Sequence, residues 1–388
     1  MERKEIDQSN ENLKQHILAL GKPDIWRKSL ALTEESLRGL EGAAWVKEID
    51  TVFVVGHGTS LATTLSAEPW FSHIARLNSR AMPAHQLSRY PDDFLLHPQK
   101  TLVVGITMGG STPSVEKCLN IANERGAATV CISRSDIEGP CAAAAQHWIK
   151  TYAEAEKLTK IHCGSISHLI LMSGAFRLAV LIGRRNGALD AAGEAYWLGQ
   201  FDDALAKMDC LPALYDRMAG INAALLGKGI DRLIALGTGP NMGTACEGAI
   251  KMMEMTWMMT ADIELEDFAH GRFRVFTGGK ELCVIICPSG NAYQKTMDHL
   301  AGCHVTKTPT IVLTDAATPA MRKLATFVVD MPKMDNEYLT SFLYVFPFWF
   351  FGIEVKRSTG QLAGEMPYKL YSSNMLFDLM FTEDGDPK

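Results

Sequence analysis

The sequence predicts an α/β fold made of two doubly wound parallel sheets flanked by helices. Two observations lead to this prediction. Apolar runs of roughly four to six residues, rich in β-branched side chains and without strict polar alternation, are typical of strands buried on both faces of a parallel sheet. Amphipathic stretches such as residues 114–125 and 243–259 lie between these runs, and the alternation indicates βαβ units.

The same elements recur at a nearly constant offset, which predicts an internal duplication. The run from Val52 and the run from Leu233 both end in glycine-rich turns, and they lie 181 residues apart. Self-similarity at a fixed period indicates a repeated structural module. The pairs that agree are 52–59 with 233–240, 102–107 with 282–287, 128–133 with 309–314, and 148–151 with 328–331.

The chain of 388 residues fits two or three domains. We predict a helical segment at the N-terminus that is broken at Gly21-Lys-Pro23, and a long apolar helix from Ile161 to Arg185. The predicted segments are an N-terminal helical segment over 1–45, a first sheet domain over 46–197, a helical connector over 198–228, a second sheet domain over 229–357 and a C-terminal tail over 358–388.

Composition and charge argue against several classes of protein. The net charge is −6 and the pI is near 6.0, so the basic surface that nucleic acids require is not expected. The polar N-terminus is unlike a secretory signal, and the apolar stretches 168–180 and 344–353 fall short of the roughly 20 residues of a membrane span. We therefore expect a cytoplasmic protein with neither nucleic acid nor membrane as a partner.

Cysteine and histidine spacing favours neither disulfides nor a metal site. The nine cysteines include no CxxC pair and no His/Cys cluster with zinc-ligand spacing, so reduced thiols are expected. Cys283 and Cys287 share one face of a predicted strand, which favours core packing. The sequence predicts no metal and no cofactor.

Ligands of doubly wound sheets bind beyond the carboxyl ends of the strands. Here these positions are the turns 56–60, 107–113, 237–242 and 287–291. The turn from Thr107 to Ser114 follows a strand and opens a helix, and it combines glycines, hydroxyls and a proline suited to the first helical position. It is either an anion cradle or a plain turn in which Thr112 is the N-cap. The turns match neither GxGxxG nor the Walker pattern, which disfavours nucleotide binding.

A second candidate constellation lies in the helix predicted over 243–259. Lys251 and Glu254 are three residues apart on one face, within a methionine-rich run. A carboxylate in apolar surroundings can have its pKa raised towards that of a proton shuttle. Alternatively, Glu247 and Lys251 form an exposed i, i+4 pair and Glu254 is solvated. His270 follows Glu254 by sixteen residues in an acidic loop, where it is a candidate proton donor.

Four of these motifs occur together in one known family. They are Gly56-His-Gly-Thr-Ser60, Thr107-Met-Gly-Gly-Ser-Thr112, Glu247-Gly-Ala-Ile-Lys-Met-Met-Glu254 and Phe268-Ala-His-Gly271. In these motifs, and over roughly residues 45 to 372, the chain resembles the tandem sugar isomerase (SIS) domain enzymes. That family includes the isomerase half of glucosamine-6-phosphate synthase, the fructosamine-6-phosphate deglycases and the tagatose-6-phosphate isomerase/deaminase group. The resemblance implies two flavodoxin-like SIS sheets.

The resemblance also implies roles for individual residues. Glu254 would move a proton between C1 and C2 of a sugar, Lys251 would stabilise the developing charge, and His270 would assist ring opening from the partner subunit of a homodimer whose active sites lie at the subunit interface. Further substrate contacts would come from His57, Lys157 and Lys369. The residues implied in binding the anionic group of the sugar are Thr59, Ser60, Thr107, Gly109, Gly110, Ser111 and Thr112.

These roles imply an aldose–ketose isomerase that acts on a hexose with a terminal anion through a cis-enediol. Met255-Thr-Trp257 and Ala155-Glu-Lys157 look more like the deglycases, so a deglycase is the alternative, and a non-catalytic sugar-phosphate sensor is a third. The chain departs from the synthase where a serine is replaced by Gly109 and a cysteine by His57. The terminal anion is therefore a 6-phosphate or a 6-sulfonate. Glutamine-dependent amination is not expected of this chain alone.

Overall fold

A computed structural model of the chain describes residues 3–134, 138–152, 165–276 and 278–362. These residues form two compact units. The first-sheet unit contains residues 24–152 and 166–194, and the second-sheet unit contains residues 3–23 and 195–362. Each unit holds one sheet of five parallel strands. Most of the predicted tail, 358–388, lies outside the described residues.

Eight of the ten strands in the described residues are those that the apolar runs predict. The strands are β1 Thr51–Gly56, β2 Asn78–Pro83, β3 Thr101–Ile106, β4 Ala128–Arg134, β5 His147–Thr151, β6 Arg232–Gly237, β7 Met259–Glu264, β8 Glu281–Ile286, β9 Thr310–Thr314 and β10 Phe327–Asp330. The helices are α1 Arg3–Leu18, α2 Pro23–Arg38, α3 Thr59–His73, α4 Ala84–Arg89, α5 Pro91–Phe94, α6 Pro113–Glu124, α7 Pro140–Ala144, α8 Ser165–Arg185, α9 Ala191–Ala206, α10 Leu211–Leu225, α11 Met242–Thr256, α12 Leu265–Ala269, α13 Tyr293–Thr306, α14 Pro319–Leu324, α15 Ser341–Tyr344 and α16 Phe346–Thr359.

Both sheets have the same topology. The first has the strand order β2-β1-β3-β4-β5, and the second has β7-β6-β8-β9-β10. Every pairing is parallel, and the registers are equivalent, since Thr51 pairs with Thr101 as Arg232 pairs with Glu281. This is the flavodoxin-like strand order. The predicted fold class and the internal duplication are therefore confirmed.

The edge strands β2 and β7 are absent from the strands predicted by apolar runs. Their segments, Asn-Ser-Arg-Ala-Met-Pro and Met-Thr-Ala-Asp-Ile-Glu, are polar because an edge strand has less surface to bury. However, β7 begins at Met259, 181 residues after β2 begins at Asn78. The repeat offset therefore holds for the edge strands as well.

Two helical stretches are long and apolar enough to cross a membrane by length and composition, in contrast to the expectation that they are too short. They are Ser167–Arg185 and Glu337–Thr359, and 83% and 89% of their apolar windows are buried inside the structure. Such burial is also found in the core helices of soluble proteins, so these stretches are weak evidence for a span. The eight cysteines in the described part of the chain are free thiols, in line with the sequence expectation.

Candidate active site

The switch point of the first sheet lies between β1 and β3. Chain connections leave these neighbouring strands in opposite directions, which opens a crevice at their carboxyl ends. The loops 57–60 and 107–112 flank this crevice. Gly58 and Gly110 have φ angles of +55° and +71°, a backbone conformation that favours glycine over other residues. Each loop therefore turns at a residue that has no side chain.

Hydroxyl groups converge in these two loops. Thr107 is buried, and its Oγ1 lies 2.9 Å from Oγ1 of Thr112. Thr112 stands at the N-cap of α6, but its side chain makes no capping hydrogen bond. Thr112 is therefore the N-cap residue of α6, as the plain-turn alternative expects, and the binding of an anion by this turn stays a prediction. Within the described part of the chain, the hydroxyls of Thr59 and Ser60 make no hydrogen bond, which leaves them available to a ligand.

A side-chain hydrogen bond that the sequence did not suggest joins the two loops. Nε2 of His57 lies 2.8 Å from Oγ of Ser114, the second residue of α6, and the backbone amide of His85 donates to the same nitrogen over 3.3 Å. Ser114 was therefore missed as a site residue. We refer to the loops 57–60 and 107–112 together with Ser114 as the cradle.

The turns at the equivalent switch point of the second sheet are already occupied by carboxylates. Oγ1 of Thr238 donates to Glu264 over 2.5 Å, Ser289 donates to Asp315 through both its amide and its hydroxyl, and Asn291 donates to Glu337 over 3.0 Å. Burial opposes ionisation of Glu264, but hydrogen bonds from Thr238 and from the amides of Asp267 and Glu266 lower the pKa of its carboxyl. These carboxylates accept hydrogen bonds from the groups that would otherwise donate to an external anion.

The helix α11 buries two of its three charged residues. Glu247 is 0% exposed and Lys251 is 3% exposed, whereas the side chain of Glu254 is 51% exposed. Nζ of Lys251 lies 4.0 Å from Oε1 of Glu247 and 2.6 Å from Oε2 of Glu254. The alternative of an exposed Glu247–Lys251 pair is wrong. The expectation of apolar surroundings for Glu254 is also wrong, because its carboxylate reaches solvent and pairs with a buried lysine.

His270 follows β7 and α12 on an exposed loop. Its side chain is 70% exposed, and Nε2 lies 3.2 Å from Oε1 of Glu266. Hydrogen bonds from Lys295 and then from His270 lower the pKa of the Glu266 carboxyl. His270 therefore lies within ion-pair distance of a carboxylate in the same unit, that of Glu266.

Glu254 and His270 lie at opposite edges of the second sheet. Helix α11 ends at Thr256, just before β7 begins beside Arg232 at the amino edge, while His270 follows the end of β7 beside Gly237 at the carboxyl edge. A strand rises about 3.3 Å per residue, so β7 separates these edges by roughly 17 Å. Within one chain, the elements that carry the carboxylate and the imidazole therefore end at opposite edges of the sheet. The other two predicted contacts, Lys157 and Lys369, lie outside the described residues.

Comparison with known proteins identifies the first sheet. Residues 46–182 match the SIS domain family. This stretch of the chain is therefore similar to SIS domains. A curated relative similar to the chain is a glutamine–fructose-6-phosphate aminotransferase (isomerizing) from Thermococcus kodakarensis, which is 26% identical over 309 residues, 78% of this chain and 48% of the relative. The chain spans about half the length of the curated relatives it matches.

Solved structures share the two-sheet fold of this chain. A putative phosphosugar isomerase from Clostridium difficile 630 aligns with a TM-score of 0.77 at 15% identity, covering 95% of this chain and 98% of that one. Tagatose-6-phosphate ketose/aldose isomerase from Escherichia coli aligns with a TM-score of 0.72 at 17% identity, covering 94% and 97%. At these identities the comparison establishes the fold, which extends over both units.

Proposed function

We propose that this protein is an aldose–ketose isomerase that acts on a hexose with a terminal anion. The observation that carries the proposal is the pair formed by Lys251 and Glu254, in which a buried ammonium group holds a solvent-accessible carboxylate at 2.6 Å. A base that can reach substrate and a fixed cation beside it are the two groups that enolisation of a sugar requires. The relatives support this class of reaction, since they include isomerising enzymes of sugar phosphates.

The reaction needs one proton carrier and one stabiliser of negative charge. In the open-chain aldose, the Glu254 carboxylate takes the proton from C2, the electrons of the C2–H bond form the C1=C2 bond of a cis-enediolate, and O1 becomes negative. The ammonium group of Lys251 stabilises this oxygen, an effect that is larger away from water. The carboxyl then returns its proton to C1, while the O2 proton passes to O1 and leaves the C2 ketone.

The terminal anion is assigned to the cradle of the first sheet. Its hydroxyls and the amino end of α6 can donate to tetrahedral oxygens, whereas the equivalent turns of the second sheet already hold carboxylates. We accordingly expect one anionic sugar per chain.

Replacing Thr112 by alanine tests this assignment. The Thr112 hydroxyl lies in the cradle beside that of Thr107, and its loss leaves the pair with one hydroxyl fewer to bind a charged ligand. We therefore expect KM for the anionic sugar to rise about 10-fold to 100-fold with kcat nearly unchanged. Thr51→Ala is the matched control, since its hydroxyl donates to Asp50 at the other end of β1. An unchanged KM for Thr112→Ala would show that the cradle does not bind the anion.

Ring opening is assigned to His270 of a second copy of the chain. This assignment is supported by the positions of Glu254 and His270, which follow from elements that end at opposite edges of the second sheet. The loop that carries His270 also exposes two large apolar side chains, Phe273 at 43% and Val275 at 44%, as a surface that packs against another copy would. Homodimerisation is thus part of the proposal.

Mixing two inactive variants tests the assignment across copies. In a twofold dimer of Glu254→Gln and His270→Asn chains, one of the two sites has both wild-type residues. After random subunit exchange, half of the dimers are mixed, so about a quarter of the wild-type activity should return. Each variant alone is the control. If mixing restores nothing although both variants exchange subunits, the two residues do not act across copies.

A deglycase is the second candidate, and Trp257 favours it. This residue ends α11 in a left-handed conformation, with φ of +60°, and its side chain is 38% exposed three residues after Glu254. An exposed indole can pack on the alkyl stem or the cationic end of an amine adduct. Release of free amine from a fructosamine 6-phosphate, measured beside isomerisation of fructose 6-phosphate, separates the two activities. Amine release without any isomerisation would replace the first candidate by the second.

A further inference from the structure

The hydrogen bond between His57 and Ser114 fixes the direction of a hydroxyl group in the cradle. The His85 amide and the Ser114 hydroxyl both lie within hydrogen-bonding distance of Nε2 of His57, at 3.3 Å and 2.8 Å. A backbone amide can only donate, so Nε2 is the unprotonated nitrogen of the ring. Ser114 must then donate its own proton to His57. Oγ of Ser114 consequently presents only lone pairs to a ligand in the cradle.

The described elements around this hydroxyl carry few groups that titrate. Glu116 lies half-buried in the first turn of α6, and Arg134 is the last residue of β4, where its amide donates to the Met108 carbonyl over 3.3 Å. Burial raises the pKa of the Cys141 thiol to about 12, so this group stays neutral beside Thr112. The side chain of His85 is exposed. The amino end of α6 adds about half a positive charge.

We propose that the cradle selects a tetrahedral anion with a single negative charge, and that His57 is the positioning residue that sets this preference through Ser114. The inference rests on the proposed function, which assigns the terminal anion of the sugar to the cradle. Two ligands have this chemistry, a sulfonate and the monoanion of a phosphate ester. A phosphate dianion would place two charges, with no proton to donate, against the lone pairs of Ser114.

Proton content distinguishes the two ligands. A phosphate ester loses its second proton near pH 6, and its monoanion carries a P–OH group that can donate to Oγ of Ser114. Above that pH the monoanion becomes scarce, and its concentration falls about tenfold per pH unit. A sulfonate keeps one charge throughout this range. Binding of the phosphate should therefore weaken with rising pH, whereas binding of the sulfonate should not.

Equilibrium binding of two probes that cannot isomerise measures the pH dependence of phosphate binding and of sulfonate binding directly. The probes are 1,5-anhydroglucitol 6-phosphate and its 6-deoxy-6-sulfonate analogue, titrated calorimetrically into the wild-type protein between pH 6.5 and 8.5. We expect Kd of the phosphate to rise on the order of 50-fold over this range. Kd of the sulfonate should change less than about threefold. A phosphate that binds equally well or better at pH 8.5 overturns the inference and leaves the proposed function intact.

Two variants test the role of His57. In His57→Cys the acceptor nitrogen is lost, so the Ser114 hydroxyl can turn and donate to the anion, and Kd of the phosphate at pH 8.5 should fall at least about tenfold. In Ser114→Ala the side-chain oxygen and its lone pairs are absent. Kd of the phosphate should then depend less on pH, without the tenfold fall at pH 8.5 that is expected for His57→Cys. A purely structural role would weaken both probes equally at every pH, which would overturn the inference. If a folded wild-type protein binds neither probe, the cradle is not the anion site, and both proposals fail.

Discussion

Glu254→Gln is expected to lower kcat for aldose–ketose isomerisation by about 10²-fold to 10⁴-fold, the usual contribution of a general base. The amide keeps the size of the side chain and an oxygen that can accept from Nζ of Lys251, which lies at 2.6 Å in the wild type. It cannot accept a proton from C2. Kd for the anionic sugar should therefore change less than about threefold. Proton exchange at C2 in D₂O, followed by NMR, measures the step itself.

The control for this variant is an exposed glutamate in the same unit. Glu5 lies exposed on α1, and Glu5→Gln removes the same charge from a solvated position. Its kcat should equal that of the wild type. If Glu254→Gln still exchanges the C2 proton at the wild-type rate, another group is the base and the mechanism is wrong.

The strands at the centre of each sheet could be predicted because they are apolar and recur at a constant offset. β3 and β8 are buried along their entire length, so hydrophobicity alone marks them. β2 and β7 are partly exposed edge strands whose polar residues form no apolar run, so they could not be predicted in this way.

The burial of Glu247 and Lys251 could not be predicted from the sequence of α11. Helical periodicity shows which residues share a face, but it does not show how many faces are covered. In the structure α16 approaches α11 closely: a Cβ atom on Gly248 would lie 2.6 Å from the Phe348 ring, and one on Gly352 would lie 2.7 Å from Sδ of Met255. Two small residues thus let the helices pack tightly, which buries a charge pair that looks like a surface pair in the sequence.

The position of His270 relative to Glu254 depends on topology. The residues between them span the end of a helix, a whole strand and the short helix α12, and in a parallel βαβ unit this path leads from one edge of the sheet to the other. The spacing of a motif gives the number of residues that separate two side chains, but it does not give the direction in which the chain runs between them. The same spacing that suggested a catalytic pair therefore separates its members within one subunit.

Lys251→Met is expected to destabilise the protein strongly as well as to reduce turnover. The substitution removes a cation that is 3% exposed and lies 4.0 Å from the fully buried carboxyl of Glu247. Removing one partner of a buried ion pair costs about 3–5 kcal/mol of unfolding free energy. This corresponds to a fall in Tm of roughly 6–20 °C, measurable by calorimetry. Lys280→Met is the matched control, because Lys280 lies at the same 4.0 Å from Asp231 but both side chains are exposed, and its effect should stay below about 1 kcal/mol.

Combining Lys251→Met with Glu247→Gln separates stability from catalysis. When both charges are absent, no buried charge is left uncompensated, so most of the lost unfolding free energy should return. The isomerisation rate should stay low, because the enediolate oxygen still lacks its cation. A double variant that regains both stability and turnover would show that Lys251 serves only the fold. A single variant with wild-type Tm would show that Glu247 does not depend on Lys251 for its charge balance.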